Sequence, residues 1–169
     1  MSQHRYFRRA LRWIAAAAIA LAIVPALAAP PAAPAWVEEG ASDAAAERVY
    51  TGQVGTRAVT LYLVDEPAPC GGDQRTVRAI YRYDGVSKWL LLRATRDRRH
   101  LSLVESVPGA GITGAMLLHA DGDRLEGRWL SPDGERLLPV SLRARRAPAA
   151  ELTRYGDALE QAEHDHDDC

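Results

Sequence analysis

The stretch RLEGRWLSPDGERLLPVSLRA, residues 124–144, consists of two runs of alternating apolar and polar residues joined by a turn sequence. Alternation of this kind is typical of strands with one face in a core and the other in water. Ser131 and Pro132 suit the first two positions of a type I turn, and Gly134 can adopt the left-handed conformation that keeps the hairpin in register. The stretch therefore predicts a β-hairpin.

Similar alternating segments fill residues 48–144, with turn residues between them and no helical pattern. They predict eight strands: Arg48–Val54, Arg57–Val64, Val77–Tyr83, Lys88–Ala94, His100–Ser106, Ile112–His119, Leu125–Trp129 and Leu137–Arg143. Residues 89–92 are apolar without a break, so we expect this strand to be buried on both faces.

Short strands joined by short turns are not stable alone, so these hairpins must close on one another. We expect an all-β domain, a small eight-stranded antiparallel up-and-down barrel whose interior is filled or holds one small ligand. Pro139 has no N–H to donate to a neighbouring strand, so we expect it at a sheet edge, at a bulge or where strand pairing is incomplete. An open sandwich or a strongly curled sheet is therefore the alternative.

The N-terminus has the pattern of a secretory signal peptide. Four arginines precede an apolar run of about fifteen residues, Trp13–Leu27, and the small residues Ala26–Ala28 provide a cleavage pattern. The run is shorter than the roughly 20 residues that span a bilayer, so a stable membrane anchor is the less favoured alternative. We predict that residues 1–28 are a signal peptide cleaved after Ala28 and that the mature protein is periplasmic or secreted.

Cleavage would leave an acidic protein. The whole chain has 21 basic and 22 acidic side chains, and residues 1–28 contain four of the basic and none of the acidic ones, so the mature net charge would be about −5. Nucleic-acid binders show a basic domain or stripe, and we therefore expect no nucleic-acid partner.

Two segments flank the barrel. Residues 29–47 are rich in proline and alanine and predict a disordered linker, in which Trp36 either docks on the domain or contacts a partner. In the C-terminal segment, residues 145–169, a short helix is predicted at Ala149–Glu163. Its apolar residues at helical spacing would pack on the barrel: Leu152, Tyr155 and Leu159.

The chain has two cysteines, Cys70 and Cys169. In an oxidising compartment an even number usually pairs, so we predict a disulfide that closes a loop of about 100 residues. A free thiol at Cys169 that pairs between chains or binds a metal is the alternative.

Several segments together resemble a β-rich module of secreted bacterial proteins of unknown function: Tyr50–Gly55, Val59–Leu63, Tyr81–Tyr83, Leu101–Glu105, Thr113–Gly114, Leu125–Trp129 and Ser131–Gly134. The resemblance covers roughly residues 48–143 and implies a secreted β module without catalytic residues. The rhythm of strands, glycines and aromatic residues is also loosely similar to that of avidin-like and lipocalin-like barrels.

Glu105 is the most unusual inward-facing residue, because alternation places it on the same face as Leu101 and Leu103. A carboxylate inside an apolar barrel could orient a ligand, whereas the favoured alternative is a position in water at the rim. Four aromatic residues would either line a pocket between strands three, four and seven or fill the barrel: Tyr81, Tyr83, Trp89 and Trp129.

The C-terminal residues Glu163–Cys169 combine imidazole and carboxylate groups. His164, His166 and Asp168 are candidate ligands for zinc or copper, because a dense His/Asp tract raises the local ligand concentration. A solvated acidic end without metal is the favoured alternative, since a zinc site normally draws its ligands from a fixed framework. No cofactor is otherwise predicted.

The sequence contains no Gly-x-Ser-x-Gly, phosphate loop, His-Glu-x-x-His or spaced cysteine ligand set, and we expect no enzyme. The leading hypothesis is a monomeric, non-enzymatic module that binds an envelope protein or another macromolecule. The alternatives are a carrier with a ligand cavity in the barrel and a weak metal binder acting through the tail.

Overall fold

A computed structural model describes residues 45–69 and 75–167. Eight strands form a closed antiparallel barrel in chain order, with β1 beside β8, and a helix follows the last strand. The elements are β1 Ala46–Val54, β2 Arg57–Pro67, β3 Arg75–Tyr83, β4 Leu90–Arg96, β5 His100–Val107, β6 Gly111–Asp121, β7 Arg124–Leu130, β8 Leu137–Arg145 and α1 Ala149–Asp167. The predicted all-β fold and the up-and-down barrel are confirmed.

Some sequence predictions fall outside the described residues. They concern the signal peptide, the linker up to residue 44, Asp168 and both cysteines. β1 begins at Ala46, two residues before the predicted start of the barrel at Arg48, so the last two residues of the predicted linker belong to the barrel. No helix in the described part of the chain is long and apolar enough to cross a membrane.

The hairpin of β7 and β8 forms as its sequence predicts. Leu130 pairs with Leu137, and the amide of Gly134 donates to the carbonyl of Ser131 over 2.9 Å, the bond of a four-residue turn. Gly134 has a φ of 77°, in the left-handed region that glycine adopts without steric cost. The Ser131 hydroxyl also accepts a hydrogen bond from the amide of Arg136.

Pro139 lies in β8 without interrupting the barrel. Its carbonyl accepts a hydrogen bond from the amide of Gly55 over 2.7 Å, so this edge of Pro139 faces β1. In an antiparallel strand the N–H and C=O of one residue point to the same side, and the missing N–H therefore also faces β1. The last pair of the β1–β8 seam is Val54 with Val140, so the missing donor falls just beyond it and the seam closes.

The barrel interior is filled by the inward-facing residue of each alternating pair. This cluster contains large side chains from all eight strands, among them Tyr50, Leu61, Leu63, Tyr81, Leu92, Leu103, Met116, Leu118, Leu125, Trp129 and Val140. The predicted double burial of β4 is confirmed, because Leu92 lies in the interior and Leu91 is buried on the outer side.

The helix α1 covers the outer surface of β1–β4. Tyr155, Leu159 and Ala162 of α1 form a second buried cluster with Val49, Tyr62, Val64, Ile80 and Leu91. An ion pair between Arg78 on β3 and Glu163 adds a polar contact, with 2.8 Å between Arg78 Nε and Glu163 Oε1. The predicted packing of the helix on the barrel is confirmed, but the helix extends past the predicted end at Glu163 to Asp167.

Candidate binding sites

Four of the five predicted ligand residues lie at one end of the barrel, which we call the Glu105 end. It is the end at which β1, β3, β5 and β7 finish. Tyr81 and Tyr83 come from the last residues of β3, Glu105 from β5 and Trp129 from β7. The rings of the two tyrosines are 5.5 Å apart.

Glu105 lies inside the barrel rather than in water at the rim, because only 7% of it is exposed. Its carboxylate accepts hydrogen bonds from the hydroxyl groups of Tyr81 and Thr113, the latter over 2.5 Å. A β-bulge explains the second contact: Glu105 pairs with Gly114 and Ser106 with Ile112, so Thr113 is an extra residue in β6. Both donors are neutral, and among the described residues no cation pairs with this carboxylate.

Burial raises the pKa of the Tyr81 hydroxyl well above 10, and the hydrogen bond to Glu105 raises it further. The raised pKa keeps the Tyr81 hydroxyl a neutral hydrogen-bond donor at neutral pH.

Trp129 fills the space beside Gly114. A Cβ at Gly114 would lie 2.5 Å from the indole nitrogen, so the glycine makes room for the ring. Only 6% of Trp129 is exposed, and its indole N–H has no hydrogen-bond partner among the described residues. At the mouth of this end, the guanidinium groups of Arg57 and Arg136 lie over the rings of Tyr83 and Trp129, at 3.6 and 5.7 Å from the ring centroids.

Trp89 is not part of this group, although the sequence placed it there. It precedes β4 and packs on the outer side of the barrel, where its ring is 5.1 Å from that of Tyr155 on α1. The guanidinium of Arg82 lies 4.7 Å from the Trp89 ring. The sequence could not separate Trp89 from the interior aromatics, because the apolar run at residues 89–92 hides the alternation.

A groove of about 250 Å³ lies outside the barrel, between the start of β4, the end of β5 and the end of α1. Leu90, Leu91, Val107 and Pro108 supply apolar walls. Its polar groups are Lys88, Ser106, Asp165 and His166.

The structure places the predicted metal ligands His164 and His166 on α1, and Asp168 lies outside the described residues. Positions two apart on a helix do not face each other. His166 contacts two backbone carbonyls, that of Ala162 through Nδ1 at 3.1 Å and that of Ser106 through Nε2 at 2.9 Å. Within residues 45–69 and 75–167, no three His, Cys, Asp or Glu side chains are grouped closely enough to hold a metal ion. Metal binding by the tail stays a prediction.

A second interior polar group lies at the opposite end of the barrel, and it was not predicted from the sequence. The buried carboxylate of Asp65 pairs with Arg75, at 2.9 Å from Nε, and with Arg96, at 3.1 Å from Nη2. Alternation along the strands does predict these inward positions. It places Asp65 on the same face of β2 as Leu63 and Arg75 on the same face of β3 as Val77. It also places Arg96 on the same face of β4 as Ala94. This group closes the barrel end with charge pairs.

α1 reaches β5 only near Ser106, through His166, and leaves the outer surface of β6–β8 and the rest of β5 uncovered; we call this surface the open face. It consists of Val104, Ala115, Leu117, Leu130, Leu137 and Pro139, with Arg93 and Arg128 beside them. Strand pairing places Val104, Ala115, Leu130 and Leu137 in one row across four strands, and Leu117, Arg128 and Pro139 in the next row. Leu117, Leu130 and Leu137 are 61%, 40% and 57% exposed.

Comparisons of the chain with protein-family models, with curated proteins and with solved structures found no match. The function must therefore be inferred from the geometry of these sites.

Proposed function

We propose that this protein is a non-enzymatic β module of the periplasm or the extracellular space that binds an envelope protein through the open face. The observation that carries the proposal is the group of exposed leucines Leu117, Leu130 and Leu137 on β6, β7 and β8, on the part of the barrel wall that α1 leaves uncovered. Contiguous exposed apolar patches on soluble proteins commonly mark interaction sites. The filled interior favours binding at the outer surface over transport of a ligand in the barrel.

The charges of the open face define the chemistry of the partner. Arg128 lies between Leu117 and Pro139, and Arg93 borders the row at Val104. Both arginines are exposed, and no acidic side chain of the described residues pairs with them. Guanidinium groups match carboxylates in geometry and charge. The partner surface should therefore combine apolar side chains with Asp or Glu.

The location in the proposal is supported by the predicted signal peptide at residues 1–28. Mass spectrometry of protein recovered from the periplasm or medium should show a mature N-terminus at Ala29. Recovery of the intact chain from the cytoplasm alone would contradict the proposed location.

The binding proposal is tested with a photo-crosslinking residue at Leu117 and, as a matched control, at Val86. Val86 is also an exposed apolar residue, at 41%, but lies in the loop between β3 and β4. We expect an envelope protein to be captured from position 117 and not from position 86. Capture from both positions alike, or capture of a second copy of the chain alone, would overturn the proposal.

The captured protein is then purified and its affinity is measured. Leu117→Asp should weaken binding by tenfold or more, because it places a charge in the apolar contact. Arg128→Glu should weaken binding and reduce its dependence on salt, because it reverses the charge facing the acidic partner. Val86→Asp should leave the affinity unchanged, and a loss equal to that of Leu117→Asp would count against the open face.

A further inference from the structure

Two histidines, His100 on β5 and His119 on β6, lie opposite each other on the outer surface of the barrel. They are paired in the sheet, and next to them the amide of Ala120 donates to the carbonyl of Arg99 over 2.7 Å. A hydrogen bond in this position marks a non-hydrogen-bonded pair of an antiparallel ladder, in which opposite side chains approach most closely. The centroids of the two imidazole rings are 5.4 Å apart. Two adjacent strands therefore hold two metal-binding side chains next to each other.

The carboxylate of Asp97 determines which nitrogen of His100 can bind a metal. Its two oxygens lie 3.0 and 3.2 Å from Nδ1 of His100. A carboxylate only accepts hydrogen bonds, so Nδ1 carries the proton and Nε2 keeps its lone pair in the neutral ring. Asp97 is itself held in place, because its Oδ1 also accepts the amides of Arg99 and His100, both at 2.7 Å. Metal-binding histidines commonly donate their other nitrogen to a carboxylate in this way.

Both rings are accessible from solvent. The side chain of His100 is 52% exposed, and His119 is exposed as well. Within the described part of the chain, no hydrogen bond or ion pair engages the ring of His119. Glu126 on β7 pairs with His119, but its carboxylate lies 3.8 Å from Arg124, and no third His, Cys, Asp or Glu of the described residues completes a metal site here. Water would therefore supply the remaining ligands of a bound ion.

The distance between the rings indicates which metal fits. Imidazole suits zinc, copper and nickel, whereas magnesium and calcium prefer oxygen ligands. An ion bound to one nitrogen of each ring would lie about 3.2 Å from each centroid, so the centroids would be about 5.2 Å apart on a tetrahedral ion and about 4.5 Å apart at neighbouring corners of a square. The observed 5.4 Å fits the tetrahedral geometry of zinc.

We propose that His100 and His119 bind a zinc ion through one nitrogen each, with Asp97 as the positioning residue of His100 and water at the other two ligand positions. The site borders the open face, because His119 and Leu117 lie on the same side of β6. Zinc binding does not depend on which partner the open face binds.

The test is a titration of the mature protein with zinc chloride, followed by the imidazole nitrogen resonances of its histidines. Treatment with iodoacetamide beforehand removes any free thiol as a ligand. We expect saturable shifts of Nε2 of His100 and of one nitrogen of His119, and no such shifts with magnesium chloride. Zinc-dependent shifts confined to His164 and His166, or no saturable shift at the pair, would overturn the proposal.

Single substitutions test whether both rings bind the same ion. His100→Gln and His119→Gln should each weaken zinc binding by about tenfold or more, measured at the remaining ring, because each removes one of two protein ligands. The control His164→Gln removes an exposed histidine of α1 and should leave the affinity of the pair unchanged. An affinity that survives the loss of either His100 or His119 would contradict a shared ion.

Asp97→Asn tests the positioning role. The amide oxygen can still accept the amides of Arg99 and His100, but the negative charge is lost. The variant should bind zinc a few-fold more weakly, and the nitrogen shifts of metal-free His100 should show that both tautomers are populated. A tautomer and an affinity identical to those of the natural sequence would show that Asp97 has no such role.

Discussion

Gly127, in the middle of β7, shows how closely neighbouring strands of this barrel approach. A Cβ at this position would lie 2.0 Å from the backbone oxygen of Leu117, a contact that only a shift of β6 could relieve. Gly127→Ala should therefore lower the free energy of unfolding by about 3 kcal/mol, measured by urea denaturation. The control is Gly156→Ala in α1, whose Cβ would meet only the Tyr62 hydroxyl, at 3.8 Å. Helix propensity favours that change by up to about 1 kcal/mol, and similar losses in both variants would contradict the packing argument.

Glu151, in the first turn of α1, makes the stability of the protein depend on pH in the acidic range. Its carboxylate accepts hydrogen bonds from Arg145, at 2.6 and 2.9 Å, and from Tyr155, at 2.6 Å. These contacts, that of Arg145 above all, lower the pKa of Glu151 from its ordinary 4.5 to about 2. A lowered pKa in the folded state gives stability that is complete above pH 4.5 and is lost as the pH falls towards 2.

Glu151→Gln should remove this part of the acid dependence. The free energy of unfolding of the variant is expected to change less between pH 4.5 and 2 than that of the natural sequence. Glu160→Gln, in the same helix, is the control for loss of a carboxylate. A slope in Glu151→Gln as steep as in the natural sequence would show that other groups cause the acid dependence.

At the scale of single residues, the alternation of apolar and polar residues along the strands predicts which side chains point into the barrel. It places Glu105 inward correctly, and the same rule, followed to the strand ends, finds Asp65 and its two arginines. It does not predict what these groups bind. The Glu105 contacts depend on Tyr81, 24 residues away, and on a bulge that turns Thr113 inward. Neither the contact with Tyr81 nor the bulge can be predicted from the residues next to position 105.

Among the elements, α1 is the one whose packing protects part of the barrel wall. Leu159 is fully buried against β-strand residues that include Tyr62 and Ile80. Leu159→Ala should reduce the free energy with which the helix packs on the barrel by about 2–4 kcal/mol. We expect the helix to detach before the barrel unfolds, so the loss should appear first as faster amide exchange in Tyr155, Ala158 and Ala162 of α1, while amides of the barrel strands stay bonded in the sheet. The exposed Thr153→Ala is the control, and equal exchange rates in both variants would contradict the contact.

The position of α1 was predictable from Leu152, Tyr155 and Leu159 at helical spacing, but its end was not. Residues 163–167 have the composition of a solvated acidic tail, yet they continue the helix. Their contacts to the barrel are Glu163 with Arg78 and His166 with Ser106, at least 60 residues earlier in the chain, and no local pattern records them. Trp89 was misplaced for a related reason, because its ring contact, Tyr155 of α1, lies more than 60 residues later.

At the scale of the whole molecule, the number and order of the strands follow from the turn sequences, whereas closure does not. The hairpins are local, but the β1–β8 seam joins residues about 90 positions apart. Pro139 suggested an open edge, since a missing donor is costly within a ladder. The structure avoids this cost because β1 ends at Val54, one pair before the proline would be needed as a donor.

Closure also buries tyrosines in the interior and under α1, and this predicts the behaviour of the protein in alkali. Burial is the main cause that raises the pKa values of Tyr50, Tyr62, Tyr81 and Tyr155 above the ordinary 10. The unfolded chain releases these protons near pH 10 and the folded chain retains them. The stability that they contribute is therefore complete below pH 10 and is lost as the pH rises above it.

The two interior tyrosines, Tyr50 and Tyr81, should consequently ionise in one steep step together with unfolding of the barrel. Tyrosinate absorbance in the near ultraviolet and the far-ultraviolet circular dichroism of the same samples should change at the same pH. The control is the same pH titration in denaturant. The tyrosines should then ionise in the ordinary range near pH 10, because no barrel is present to bury the hydroxyl groups. If these tyrosines ionised reversibly while the circular dichroism kept its β signal, the closed and filled barrel would be contradicted.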